Sequence, residues 1–338
     1  MEQKLKQIKK KYFVYTVLIA LLCLVGGFGL GYQVKPTEVL STKSVRENTN
    51  QYTFIHPLLA VNSLNPEKPS PAYIDLNKKV QSFIANQVAS AGLRTASVYL
   101  INYGKNNGSF AINENESYAP ASLLKVVVLV AYLKKSDENL SILNQQFVYA
   151  ESIDHALETT PFDTPTELKV GSAYSVSTLL EKMIVDSDNG AMDLLLSHIE
   201  DAYLTQVYTD LGLAGPKINS VYTISIKDYS LFFRVLYNSS YLSRESSEKA
   251  LSILSKTTFN DGIVKGLPSD IVVAHKYGEH VNGTGDQIDS IELHDCGIIY
   301  NKSGPYMLCV MTKGKTLASL SDTIGGISKI IYDDISSR

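Results

Sequence analysis

Ser122 and Lys125 stand three residues apart in the stretch Tyr118-Ala119-Pro120-Ala121-Ser122-Leu123-Leu124-Lys125, which runs into the apolar segment 126–133. Pro120 suits the first position of a helix, and the apolar run predicts a helix buried on most sides. On a helix the two side chains share one face. A serine there feels the positive end of the helix dipole, and its backbone N–H is available to a developing oxyanion. The chemistry on offer is nucleophilic attack by a hydroxyl with an amine as its base. Taken alone, the same pair also reads as a surface serine and a lysine whose stem lies along a core helix.

Two further polar groups carry reactive side chains. Ser187-Asp188-Asn189 lies between two apolar helical segments, where an ordinary turn or helix cap would look the same. Ala274-His275-Lys276-Tyr277-Gly278-Glu279 ends a strand-like run, where an edge-strand lysine is commonplace.

The elements that must position these groups follow from periodicity. Asp75 caps a predicted helix that ends at Gly92, with Val80, Phe83, Ile84 and Val88 on one face. Strands over 95–103 and 109–113 flank a turn-rich segment and form a predicted hairpin. From 122 to about 256 the pattern is helical, with helices at 122–134, 177–185, 190–197, 202–211 and 226–237. Strands return at 271–277, 294–300 and 306–312, and a helix over about 317–335 closes the chain. The order implies an α+β fold: one antiparallel sheet, terminal helices on a face, and an α subdomain inserted between strands.

Taken in order, Ser122-x-x-Lys125, Ser187-Asp188-Asn189 and Lys276-x-Gly278 resemble the three signature motifs of the penicillin-recognising serine enzymes, and the chain is similar to the class A β-lactamase-like serine hydrolases. The resemblance runs from about 73 to 338 and implies a β-lactamase/transpeptidase-like fold, with the α subdomain over about 115–265. It implies that Ser122 attacks a carbonyl, Lys125 acts as base if burial and Lys276 lower its pKa, and Ser187 relays a proton to the leaving nitrogen. Asn189 would bind the acyl side chain and help place Lys125. Lys276 would supply positive charge for Ser187 and for a substrate carboxylate. The N–H groups of Ser122 and Glu279 would form the oxyanion hole, and Gly278 would let the strand approach the substrate. The implied substrates are β-lactams or peptidoglycan-derived peptides and esters, with no cofactor.

The sequence departs from that family in three places. Hydrolytic class A enzymes carry a water-activating glutamate between the second and third motifs, yet 202–244 contains no glutamate, and Glu158 and Glu167 precede the second motif. Tyr277 replaces a small hydroxyl residue. Glu279 would repel a substrate carboxylate, and suits a cationic or peptidic ligand better. These departures favour slow or absent turnover of the acyl-enzyme. They also keep open a non-catalytic reading, in which the cleft binds cell-wall material or senses penicillin. Covalent catalysis needs this set of residues and binding does not.

Beyond the motifs, 338 residues with a net charge of −3 and pI near 6.1 provide no basic field for nucleic acid. Lysines 4, 6, 9, 10 and 11 precede residues 13–32, a stretch without a charge and long enough to span a bilayer. The predicted organisation is a cytoplasmic segment 1–12, a transmembrane signal-anchor helix 13–32, an extracytoplasmic linker 33–72 rich in Pro, Ser, Thr and Asn, and the enzyme-like domain 73–338. A cleaved signal peptide would have a shorter apolar run and a small-x-small site. Within the linker, 52–61 is too apolar to be free and is expected to dock on the domain. Cys296 and Cys309 are read as buried, unpaired thiols, since the strand register that would pair them is not fixed by sequence. His155, His198, His275, His280 and His294 lack metal-ligand spacing and are read as core or surface residues; His275 should face away from Lys276.

Overall fold

The computed structural model describes residues 52–57, 66–104, 106–150, 166–216, 221–283 and 288–338. The expected membrane segment 13–32, the cytoplasmic residues before it and much of the linker lie outside that set, as do Glu158 and His155. Among the described residues no helix is long and apolar enough to cross a membrane.

In chain order the elements are α1 Ile74–Ser90, β1 Leu93–Asn102, β2 Gly108–Ile112, β3 Ser117–Tyr118, α2 Lys125–Glu138, β4 Gln146–Val148, β5 Ala173–Ser175, α3 Val176–Val185, α4 Asn189–Leu196 and α5 Asp201–Asp210. There follow β6 Ile224–Ser225, α6 Ile226–Tyr237, α7 Arg244–Leu254, β7 Val272–Asn282, β8 Ser290–Tyr300, β9 Tyr306–Gly314 and α8 Leu317–Ser337. Five strands form an antiparallel sheet in the order β2-β1-β9-β8-β7, so the helices α2 to α7 enter the chain between its two edge strands.

Both faces of the sheet are covered, which the strand alternation explains. Val98 and Leu100 of β1 and Leu308 and Val310 of β9 pack under α1 and α8, against Leu76, Val80, Ile324 and Ile331. Tyr99, Ile101, Met307 and Met311 point the other way, into a second core shared with α2, α3, α6 and α7. Helix α2 is the axis of that core, with every residue from Lys125 to Leu133 buried.

Several expected boundaries move. Tyr73, not Asp75, occupies the cap position of α1, and Asp75 lies in the first turn, where its charge complements the helix dipole. Val88 is 47% exposed, and the buried stripe of α1 is Leu76, Val80 and Ile84. Strand β7 continues past the Lys276-x-Gly278 motif to Asn282, held by pairing with β8 along its whole length, so the motif lies mid-strand. Cys296 and Cys309 are opposed in the β8–β9 register and joined as a disulfide; the expected unpaired thiols are thereby corrected, since the register brings both to one face.

The described part of the apolar linker patch docks as expected. Glu248 of α7 accepts from the backbone N–H groups of Thr53, Phe54 and Ile55 at 2.7, 2.9 and 3.1 Å. Tyr300 donates to the Phe54 carbonyl at 2.8 Å and packs edge-on against its ring.

Candidate active site

The serine of the first motif is carried by a tight turn that is held on both sides. Upstream, Tyr118 pairs with Ile224 in the short β3–β6 ladder, and its hydroxyl meets Ser97 Oγ at 2.9 Å. Downstream, Tyr229 donates to the Leu123 carbonyl at 3.1 Å. Between these anchors a single 3-10 turn, Ala121–Leu124, precedes α2, so Pro120 caps this turn rather than opening the α-helix. Ala121 has φ +48°, a left-handed conformation that a side chain adopts at a cost of about 1 kcal/mol or more. Such strain persists only where neighbouring contacts over-determine the backbone.

Lys125 follows one turn later and is 1% exposed. Its Nζ donates to the Ser187 carbonyl and Asn189 Oδ1, both at 2.6 Å, and lies 3.1 Å from Ser122 Oγ and from Ser187 Oγ. The first and second motifs therefore meet at one amine.

The second motif reaches that point because the loop between α3 and α4 is rigid. Asp188 caps α4 through Ala191 N–H at 2.8 Å, while its other oxygen accepts from Thr166 Oγ1 at 3.0 Å and Glu167 N–H at 3.2 Å. Ser187, at φ +56°, is the second strained residue, and the turn it makes aims its hydroxyl at the two lysines. Thr166 was not visible as a partner in the sequence. Its signal is Gly190, where a Cβ would lie 2.6 Å from Thr166 Oγ1.

From β7, Lys276 Nζ donates to Ser187 Oγ at 3.0 Å and to the Tyr277 carbonyl at 3.0 Å. It is 0% exposed, and burial, followed by the charge of Lys125, holds its pKa well below the ordinary lysine range; Asp295 and Glu279 oppose that shift in part. The Tyr277 ring stacks on Phe259 with centroids 3.8 Å apart and lies under the Lys276 amine, 4.0 Å from its centroid. Gly278 packs directly on the serine's turn: a Cβ there would lie 2.9 Å from the Pro120 carbonyl oxygen. Glu279 follows, paired with Leu293, on this edge strand of the sheet.

His275, on the neighbouring position of β7, turns away from the lysines as expected and bonds Asp295 at 2.8 Å; Asp295 in turn accepts from Ile263 N–H at 2.8 Å. Glu167 is exposed and pairs with Lys182 at 3.2 Å, so it takes no part in the lysine cluster. A cavity of about 380 Å³ lies beside β3 and β6, lined by Ser117, Tyr222, Ser225 and Asp228 among others, and none of Ser122, Lys125, Ser187 or Lys276 lines it.

The structure thus brings Ser122, Lys125, Ser187, Asn189 and Lys276 into one continuous hydrogen-bonded chain, with Gly278 against the turn. Such an arrangement can move a proton from one hydroxyl to another through an amine.

A profile described as the beta-lactamase enzyme family matches residues 75–335. A search of curated protein sequences finds no match. Among solved structures, PBP-A is similar to this chain at 24% identity, with 82% of this chain and 100% of that one covered and a TM-score of 0.67. A PBP-A variant solved as an acyl-enzyme complex with penicillin G matches at 23% identity over 81% and 100% of the two chains, TM-score 0.65. A β-lactamase from Chitinophaga pinensis matches at 22% identity over 77% and 98%, TM-score 0.65. These structures share the β-lactamase/transpeptidase-like fold, an antiparallel sheet with helices.

Proposed function

The chain belongs to the beta-lactamase enzyme family, and from that premise we propose that it is a serine acyl-transfer enzyme whose nucleophile is Ser122. The observation that carries the reading is the single amine of Lys125 in hydrogen-bond reach of Ser122 Oγ, Ser187 Oγ and Asn189 Oδ1. In this reading Ser122 Oγ attacks the carbonyl carbon of a β-lactam, or of a cell-wall peptide or ester, and its proton passes to Lys125, acting as the neutral amine. A buried pair of lysines sharing one hydroxyl favours fewer than two protons between them. The tetrahedral oxyanion rests on the N–H groups of Ser122 and Glu279. As the bond to the leaving group breaks, Ser187 donates its proton to the leaving nitrogen, or to the leaving oxygen of an ester, and recovers one from Lys125, with Lys276 polarising the hydroxyl. An ester on Ser122 is the product of that half-reaction.

Release of the ester is slow for β-lactams in this reading. The support is the absence of any glutamate between 202 and 244 and the engagement of Glu167 with Lys182 away from the cluster. Glu279 beside the oxyanion site favours peptidic or cationic substrates over anionic ones.

The domain is proposed to work outside the cytoplasmic membrane, tethered by residues 13–32. The lysines before that uncharged stretch support this orientation, and the Cys296–Cys309 disulfide suits an oxidising compartment. The test of the chemistry is labelling with a fluorescent penicillin alongside a chromogenic cephalosporin. Label on the wild type, none on Ser122→Ala and little cephalosporin turnover is the expected pattern. Rapid turnover would overturn the slow-release part, and an unlabelled wild type would leave the cleft a binding module.

A further inference from the structure

Two buried side chains on β8, Glu292 and His294, play no part in the proton chain, yet both grip the chain just before Ser122. They are two residues apart, so they share the sheet face of their β7 partners His280 and Gly278. Glu292 is 2% exposed and His294 is 0% exposed. Glu292 Oε2 accepts from the Ala119 N–H at 2.9 Å, and His294 Nε2 lies 3.0 Å from the Ala119 carbonyl oxygen. The Thr312 N–H can only donate and lies 3.3 Å from His294 Nδ1, so Nδ1 accepts and the ring carries its hydrogen on Nε2, toward Ala119. The same Nε2 is 3.4 Å from Glu292 Oε2. Glu292 Oε1 is held in turn by Asn282 Nδ2 at 3.0 Å and Lys313 Nζ at 3.1 Å. The Tyr118 ring meets the imidazole edge-on, with centroids 5.3 Å apart.

We propose that Glu292 and His294 are positioning residues for the nucleophile: a clamp that holds Ala119 by both its N–H and its C=O and so keeps the following turn in its strained form. The inference rests on the reading of Ser122 as nucleophile. A buried carboxylate is no better for stability than an apolar residue of similar volume, so one that binds the chain just before Ser122 points to another role. The role is set by what the pair binds. Ala119 is three residues before Ser122, and Ala121 between them is held at φ +48°. With Ala119 released, Ala121 is free to relax to negative φ, and that rotation carries Ser122 Oγ away from Lys125 Nζ, now 3.1 Å distant. A displacement near 1 Å at a reacting atom costs about a hundredfold in rate.

The experiment measures acylation of the full chain by a fluorescent penicillin across concentrations, which separates the limiting rate from the half-saturating concentration. Amide exchange over 118–124 is followed on the same proteins. Glu292→Ala is expected to lower the limiting rate by about tenfold or more, leave the half-saturating concentration within about threefold, and raise exchange in that segment. Glu292→Gln keeps an acceptor for the Ala119 N–H but turns its amide NH2 toward the donors Asn282 Nδ2 and Lys313 Nζ, so it is expected to lower the limiting rate by clearly less than Glu292→Ala does. Should Glu292→Ala fail to fold, Asn282→Ala loosens only one support of the carboxylate and is expected to lower the rate by about threefold with raised exchange.

A folded Glu292→Ala that acylates at the wild-type rate overturns the clamp, as does a Glu292→Gln that falls as far as the alanine variant. If Asn282→Ala has to decide the matter, unchanged rate and exchange overturn it too. A wild type that takes no label overturns the reading of Ser122, and the clamp with it. Labelled wild type with an unaffected Glu292→Ala overturns the clamp alone.

Discussion

Adding one carbon at Gly278 tests the packing of the strand against the turn that carries Ser122. A Cβ at that position would lie 2.9 Å from the Pro120 carbonyl oxygen, 3.1 Å from Leu123 N and 3.1 Å from Leu123 Cγ. Two of those three atoms are backbone of the turn that carries Ser122, so no side-chain rotation relieves the contact. Restoring ordinary van der Waals separation requires β7 and the turn to part by roughly 0.5 Å. Lys276 lies two residues away on the same strand and Ser122 two residues beyond Pro120, so the parting spreads the network that now closes at 3.0 and 3.1 Å. Overpacking of this kind costs about 1–3 kcal/mol of stability, and half the displacement that costs a hundredfold in rate predicts a loss of about tenfold. The assay is the acylation rate of Gly278→Ala with a fluorescent penicillin, read with its melting temperature. Wild-type acylation with an unchanged melting temperature would refute the contact geometry and the catalytic role of this strand together.

Burial of Lys276 makes a prediction about pH and stability. Its folded pKa is depressed, so between that value and the unfolded pKa near 10.4 the unfolded state binds the extra proton and stability rises with pH. Lys276→Met should be at least as stable as wild type at neutral pH and should lose that part of the rise, as urea titrations from pH 7 to 10 would show; an unaltered slope would contradict it. Glu292 gives the opposite sign. Burial raises its pKa, but the hydrogen bonds it accepts from His294, Asn282 and Lys313 bring it below the ordinary carboxylate range. It therefore stabilises the fold above the unfolded pKa near 4.3, and that contribution fades as pH falls through the lowered folded value; Glu292→Gln should flatten the acid limb of a stability profile. Removing the charge at Glu279 should help an anionic penicillin: a like charge ~4 Å away costs ~1 kcal/mol in water, so Glu279→Gln should acylate roughly fivefold faster, with the gain shrinking as salt rises. A slower or salt-independent Glu279→Gln would contradict the assigned place of that carboxylate.

The candidate site residues were legible because the proposed chemistry fixes their types and local periodicity fixes their elements. Ser122, Lys125, Ser187 and Lys276 sit where apolar helices and β-branched strands end or pass, and the structure brings all four together. The fold followed from the same patterns, down to α6, whose bounds agree with the expected 226–237. Other features depend on long-range pairing that a sequence does not display. The strained φ of Ala121 is imposed by contacts on either side of it, and a 3-10 turn has the same composition as a first helical turn. Strand β7 is expected to stop at Tyr277 because a glycine and two polar residues follow, while pairing with β8 carries it to Asn282. The cysteine pair was hidden for the same reason, since a shift of one residue in β8 against β9 would have separated them. Helix α7 was not resolved from the helical block because its Ser- and Glu-rich start masks the buried positions Ala250, Leu251 and Leu254. His294 reads in the sequence only as a core or surface histidine and Glu292 carries no signal, because the contacts of both with Ala119 depend on a turn 173 and 175 residues away in the chain.

The most direct test of the account is peptide mapping by mass spectrometry after exposure of the purified chain to penicillin G. A mass increase of one intact penicillin on the peptide containing Ser122, persisting after free drug is removed and missing from Ser122→Ala, is the predicted result. No adduct after prolonged exposure, or an adduct on any other residue, would contradict the assignment of Ser122 as the nucleophile.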